Sequence, residues 1–168
     1  MLCVIARLDE DANERFALLR AAVLPGKPVL PPFYGHITLA TYLPDDHEAF
    51  VKHCNEMLSG VPSFPVRYET IGIFPQSGVI IAQPSESPYL SAIHRRIAEK
   101  YGRDLDRWTR GEGWLPHTTL ISVPLAEPDA VCRNMQNLFV PFDTRIGRVE
   151  FSLVGEEGFT IIGGVDLK

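Results

Sequence analysis

The sequence predicts an α+β fold built from one duplicated unit, with two similar lobes packed about a pseudo-twofold axis and a groove between them. Three observations carry this. Strands and helices alternate along the 168 residues. The order helix, strand, helix, strand, strand occurs twice, once from residue 11 and again from residue 88. When the chain is laid on itself with a displacement of 81, His36 falls on His117, Thr38 on Thr119, Leu39 on Leu120, Ala49 on Ala130 and Met57 on Leu138. Register is kept in a strand and in the helix after it, which two unrelated units would not do. No Gly- or Ser-rich linker separates the copies, so the expectation is one bilobal domain over 1–168. Its lobes are expected near 11–84 and 88–167, with a strand at 2–8 completing the sheet.

Each element has its own warrant. Residues 2–8 are apolar, but short, and lack both a basic lead-in and a small-residue cleavage site. They read as a first strand and not as a signal peptide. A helix over 11–24 puts Phe16, Leu19 and Val23 on one face and stops at Pro25-Gly26. Three prolines make 27–32 a loop. Residues 33–43 are rich in β-branched and aromatic types, a strand. Pro44 and Asp45 open a helix to about 59, with Phe50, Cys54, Met57 and Leu58 apolar. Strands at 64–74 and 79–83 join around 75–78. Residues 88–101 form a helix closed by Gly102. A polar loop at 103–116 holds Trp108 and Trp114. A strand at 117–123, a helix at 127–139 and strands at 142–154 and 159–167 complete the order.

Composition bounds the function. The chain is 45% hydrophobic and 22% charged, which is ordinary for a globular protein and wrong for a disordered one. No apolar run reaches the ~18 residues of a membrane-spanning helix. A net charge of −5 argues against broad binding to long nucleic acid, yet allows a small phosphorylated ligand or a nucleic-acid end in a local site. Cys3, Cys54 and Cys132 have no metal-like spacing and read as reduced, partly buried thiols of a cytoplasmic protein.

The chemistry lies in a motif that occurs twice, Gly35-His36-Ile37-Thr38-Leu39-Ala40 and Pro116-His117-Thr118-Thr119-Leu120-Ile121. With 5 His, 8 Thr and 17 Leu in the chain, two chance copies of His-x-Thr-Leu arise about once in several thousand chains of this composition. On a strand, residues i and i+2 share a face, ~6.5 Å apart, so each histidine projects beside a threonine hydroxyl. Two such pairs brought together suit a tetrahedral anion such as phosphate. One neutral imidazole accepts a proton from an attacking water and one imidazolium donates to the leaving oxygen. The hydroxyls position the non-bridging oxygens. The scheme calls for no metal or cofactor. Zinc would need further ligands that the motifs do not supply, and for a paired motif a purely structural histidine is the weaker reading.

The paired motifs resemble those of the two-histidine (2H) phosphoesterase superfamily, with its 2′-5′ RNA ligase-like and cyclic phosphodiesterase branches. Other segments are similar to it as well: Thr70-Ile71-Gly72-Ile73-Phe74-Pro75 with Gly78-Val79-Ile80-Ile81, the helix segment Leu90-Ser91-Ala92-Ile93-His94, and Trp114-Leu115-Pro116-His117. The resemblance spans about 1–167. It implies duplicated αβαββ-type units with antiparallel sheets, and metal-independent chemistry on cyclic phosphates or 2′-5′ linkages. His36, Thr38, His117 and Thr119 are then the catalytic set. Thr118, where the family carries an apolar residue, suggests a more solvated strand. Phe33-Tyr34-Gly35 replaces the family's proline-led approach to the first motif.

Candidate substrate-binding residues are Tyr34 and Tyr42, which have the strand parity of His36, together with Phe74 and Trp114. Trp108 and Trp114, among Arg103, Arg107 and Arg110, are either base-stacking groups or loop anchors. His47 and His53 read as surface residues and His94 as a packing or surface residue of its helix. The expected protein is a cytoplasmic, monomeric phosphodiesterase with no cofactor and no membrane partner. It would act on a small nucleotide or an RNA end. A reversible 2′-5′ RNA ligase and a non-catalytic RNA-end or nucleotide-binding module stay open as alternatives.

Overall fold

A computed structural model describes residues 1–24, 33–122, 125–155 and 158–168. The elements are β1 (Leu2–Arg7), α1 (Glu10–Val23), β2 (His36–Tyr42), α2 (Glu48–Leu58), β3 (Phe64–Ile73), β4 (Ile80–Pro84), α3 (Pro88–Tyr101), β5 (Thr118–Ile121), α4 (Pro128–Leu138), β6 (Phe142–Ile146), β7 (Arg148–Gly155) and β8 (Gly158–Asp166). Local chemistry sets the helix starts. The Asp9 carboxylate accepts the Ala12 N–H at 2.8 Å at the head of α1, and Ser87 caps α3 ahead of Pro88. The second helix begins at Glu48 and not at the expected Pro44, because Asp46 turns back to accept the Glu48 N–H at 3.3 Å. The loop expected at 27–32 and the strand end expected at 123 lie outside the described residues.

The strands form two four-stranded antiparallel sheets, ordered β2-β1-β7-β8 and β5-β4-β3-β6. The two orders follow one plan. The units β1-α1-β2-α2-β3 and β4-α3-β5-α4-β7 correspond, and the last strand of each pairs in the sheet of the other. Each sheet therefore draws on both halves of the chain, where the sequence reading placed each lobe within one half. The repeat also begins one strand earlier than that reading had it. Its expected strand at 142–154 is two strands: β6 closes the second sheet, the chain passes Gly147, and β7 enters the first. The alternation of buried and exposed residues runs up to this crossing with only one glycine as punctuation, so the sequence reads as continuous.

The helices follow the same exchange. Helix α1 leaves the first sheet but buries Phe16 edge-on to Tyr68 of β3 and Phe142 of β6, at 4.9 and 5.2 Å between ring centres. Helices α2 and α3 cover the first sheet, where Phe50 stacks on Tyr42 of β2 and meets Tyr101 edge-on. One continuous apolar core includes residues of both sheets and all four helices. The three cysteines are buried and unpaired. Among the described residues no helix is long and apolar enough to cross a membrane.

Candidate active site

The first His-x-Thr-Leu motif lies on edge strand β2 and the second runs from His117 into edge strand β5, and both strands carry the same irregularity. Against β1, Val4 pairs with Ala40 and the next residue, Ile5, with Thr38, so Leu39 is an extra residue in β2. Against β4, Ile80 pairs with Ile121 and Ile81 with Thr119, so Leu120 is the extra residue in β5. These are β-bulges at equivalent positions. A bulge bends the strand and re-aims what precedes it. It leaves His and Thr of each motif on one face and sends the following Leu and its neighbour into the core: Leu39, Ala40, Leu120 and Ile121 are all buried.

The two edges lie against one another. The Thr118 hydroxyl donates to the His36 carbonyl at 3.0 Å and shares a hydrogen bond with the Tyr68 hydroxyl. Thr118 is thus 1% exposed, opposite to the solvated position the sequence suggested. Its burial is tolerated because the hydroxyl is fully bonded. Trp114 ties the same edges from the loop, its Nε1–H donating to the Thr38 carbonyl at 2.9 Å. Its ring stacks on His94, 4.2 Å between centres. The His94 ring nitrogens lie 2.9 Å from the carbonyl of the bulged Leu39 and 3.3 Å from that of Gly111. Trp114 and His94 brace the site from behind.

The two catalytic candidates are held alike. His36 Nδ1 donates to the carbonyl of Tyr34 at 3.2 Å, and His117 Nδ1 to that of Leu115 at 2.8 Å. A carbonyl only accepts, so each neutral ring carries its proton on Nδ1 and leaves Nε2 bare. Among the described residues neither Nε2 has a partner, nor have the hydroxyls of Thr38 and Thr119. Burial pushes the His36 imidazole below its ordinary range; the Tyr34 carbonyl opposes this, the charge of His117 adds to it, and Glu150 opposes it. His36 therefore rests neutral near pH 7. Phe74 sets its ring edge-on to His117 at 5.1 Å.

The aromatic candidates divide. Tyr34 lies beside His36, 6.4 Å between ring centres, and its hydroxyl donates to Glu150. Burial and that carboxylate raise the phenol to about 12. Tyr42 does not share the site: it is buried between Phe50 and Tyr101 on the helix side. The Leu39 bulge reverses strand parity between positions 38 and 42, and a bulge is invisible to an i, i+2 count. Trp108 is 62% exposed with the Arg107 guanidinium over its ring, and Arg110 is bonded to the carbonyls of Arg103 and Leu105. Sequence reasoning passed over Glu150, Arg7 and Arg148, and His94 gave no sign of its bracing contacts. Glu150 sits at an outward-reading position between Val149 and Phe151, and only the fold shows that it is buried.

The model of the 2′-5′ RNA ligase superfamily matches residues 8–155. Solved structures share the fold at low identity. LigT of E. coli, crystallised with 3′-AMP, is 17% identical with a TM-score of 0.69, over 99% of this chain and 97% of that one. A protein of Thermus thermophilus is 18% identical with a TM-score of 0.65, over 99% and 97%. A protein described as a phosphoesterase is 18% identical with a TM-score of 0.66 and the same coverage. No curated protein matches the chain by sequence. With a match over most of its length and both motifs inside the matched span, the chain belongs to the 2′-5′ RNA ligase superfamily.

Proposed function

We propose that this protein is a metal-independent phosphodiesterase that hydrolyses a cyclic nucleotide-type phosphate or the 2′-linked end of an RNA. The observation that carries the reading is the matched pair of imidazoles, each braced through Nδ1 and each without a partner at Nε2 among the described residues. His36, held neutral by burial, accepts the proton of the attacking water as its oxygen bonds to phosphorus. His117, protonated, donates through Nε2 to the ribose oxygen as the P–O bond breaks. The Thr38 and Thr119 hydroxyls donate to the non-bridging oxygens, where negative charge builds up. Two further points support a small nucleotide substrate. The net charge of −5 disfavours long RNA, and LigT, of the same fold, has been crystallised with 3′-AMP.

The test is turnover of a panel of nucleoside 2′,3′-cyclic phosphates and 2′-5′ dinucleotides in excess EDTA, wild type beside His36→Ala and His117→Ala. Each variant should lose at least ~100-fold, the scale of general acid–base catalysis. The double variant should lose little beyond the worse single one, because the pair acts as a unit. Which monophosphate is released identifies the leaving oxygen. Full activity in His36→Ala would sink the mechanism, and joined product from two RNA ends would turn the reading toward a ligase.

A further inference from the structure

The pseudo-twofold makes the two histidines near-equivalent, yet their surroundings differ on the side of the preceding residue and the neighbouring strand. Tyr34 and Leu115 occupy the same place, two residues before each histidine, and both offer the carbonyl that holds Nδ1. The Leu115 side chain is exposed and has no polar group to anchor it. The Tyr34 hydroxyl is tied to Glu150. Glu150 pairs with Ile5, the partner of Thr38. The matching position in the other sheet pairs with Ile81, the partner of Thr119, and holds Gly72. A buried carboxylate thus stands on the His36 side, and the equivalent place on the His117 side has no side chain.

A buried carboxylate is costly unless paired. Glu150 is 3% exposed. One of its oxygens takes Arg148 Nε at 2.9 Å and lies 3.6 Å from Arg7, and the other takes the Tyr34 hydroxyl. The Arg7 guanidinium lies over the Tyr34 ring, 5.5 Å from its centre, and Phe159 closes the ring from the other strand edge at 5.3 Å. The tyrosine is held at its tip, on its face and, through Gly35, in its backbone: the Gly35 N–H donates to Asn13 at 2.6 Å and its carbonyl accepts from Leu8 at 3.1 Å.

We propose that Tyr34 and Glu150 are positioning residues for His36: Glu150 fixes Tyr34, the Tyr34 carbonyl fixes the imidazole through Nδ1, and the Glu150 charge favours the imidazolium formed when Nε2 takes the proton of water. The proposal rests on the reading of His36 as the proton acceptor and deepens it, since it gives the two symmetric histidines different roles. The charged and titratable groups around His36 are Tyr34 before β2, Arg7 on β1, Glu150 and Arg148 on β7, and His117 before β5. Arg148 is itself neutralised by Asp166 of β8 at 2.6 Å.

The experiment is NMR titration of the histidine ring nitrogens in the full chain, for wild type, Tyr34→Phe and Glu150→Gln, with pH–rate profiles on the cyclic phosphate that wild type turns over. In Glu150→Gln the His36 titration should move to lower pH by about half a unit, less than the one to three units of a directly contacting charge, while His117 stays put. In Tyr34→Phe the charge remains but the tether is lost, so the His36 ring should show a mixture of tautomers. In both, kcat should fall on the order of ten-fold with KM nearly unchanged, the size of orienting contacts to functional histidines elsewhere. Tyr34→Phe removes a single oxygen and keeps the test available should Glu150→Gln fail to fold. His36 unmoved in titration and tautomer in both variants overturns the proposal. So does an equal shift at His36 and His117. These readouts need no substrate, so a wild type that hydrolyses nothing counts against the proposed function and leaves this test standing.

Discussion

A histidine on an edge strand can be a packing residue, a ligand or a proton carrier, and the atoms around it decide which. Here Nδ1 is occupied at both His36 and His117 while Nε2 is bare, the arrangement that a proton carrier requires. The pH dependence then has a direction. A base works only when deprotonated, so the rate climbs with pH through its pKa. Burial and the charge of His117 depress that value at His36. The rising limb of kcat/KM should therefore fall on the acid side of ~6.5, the ordinary histidine value. A rising limb at or above ~7 would show that His36 is not the base. The four motif residues were legible because i, i+2 geometry holds locally, whatever surrounds it. Tyr42 was misplaced because one bulge intervenes, and Glu150 was missed because burial of a charge depends on strands far away in sequence.

At the scale of the element, the two bulges are what the strands contribute. A regular strand would leave its edge carbonyls open to pairing with another chain. In β2 each of these carbonyls has a dedicated partner: Thr118 for residue 36, Trp114 for residue 38, His94 for the bulged residue 39. Thr118 of β5, the α3 helix and the loop at 103–116 thus together complete this edge. Removing one donor should be costly. Trp114→Phe keeps the stack on His94 but leaves the Thr38 carbonyl without its partner, at about 1–3 kcal/mol. In a chain of this size that is a fall in Tm of roughly 2–10 °C, read by thermal melting, with reduced kcat because the brace holds the strand bearing Thr38. An unchanged Tm would mean that water replaces the indole at no cost. Helix and strand order was legible from periodicity and from Pro, Gly and Ser punctuation. The division between β6 and β7 was not, because Gly147 is the only signal and the pattern of apolar residues continues across it.

At the scale of the molecule, the repeat was legible but its meaning for architecture was not. Matching residues at a fixed displacement say that a unit occurs twice. They do not say whether each unit closes on itself, because the same alternating strand satisfies either sheet. In this fold it does not close. β3 and β7 are exchanged, and α1 leaves the sheet of β1 to bury Phe16 against Tyr68 and Phe142 in the other. The exchange places the two edge strands β2 and β5 against one another, so assembling the site and folding the chain become the same event. Two consequences can be measured. Phe16→Ala empties a fully buried position at this crossing and should cost about 3–5 kcal/mol. Calorimetry should show one transition shifted as a whole, because neither sheet keeps its core without strands from the other half. Residues 1–78 and 79–168, expressed apart, should each lack a cooperative melt, since each fragment holds edge, core and crossing strands whose partners lie in the other. Mixed together, they should recover helix and strand signal and phosphodiester turnover in parallel. Two separate transitions in the intact chain, or a cooperative melt from either fragment alone, would show that the halves fold independently and that the exchanged strands are not what joins them.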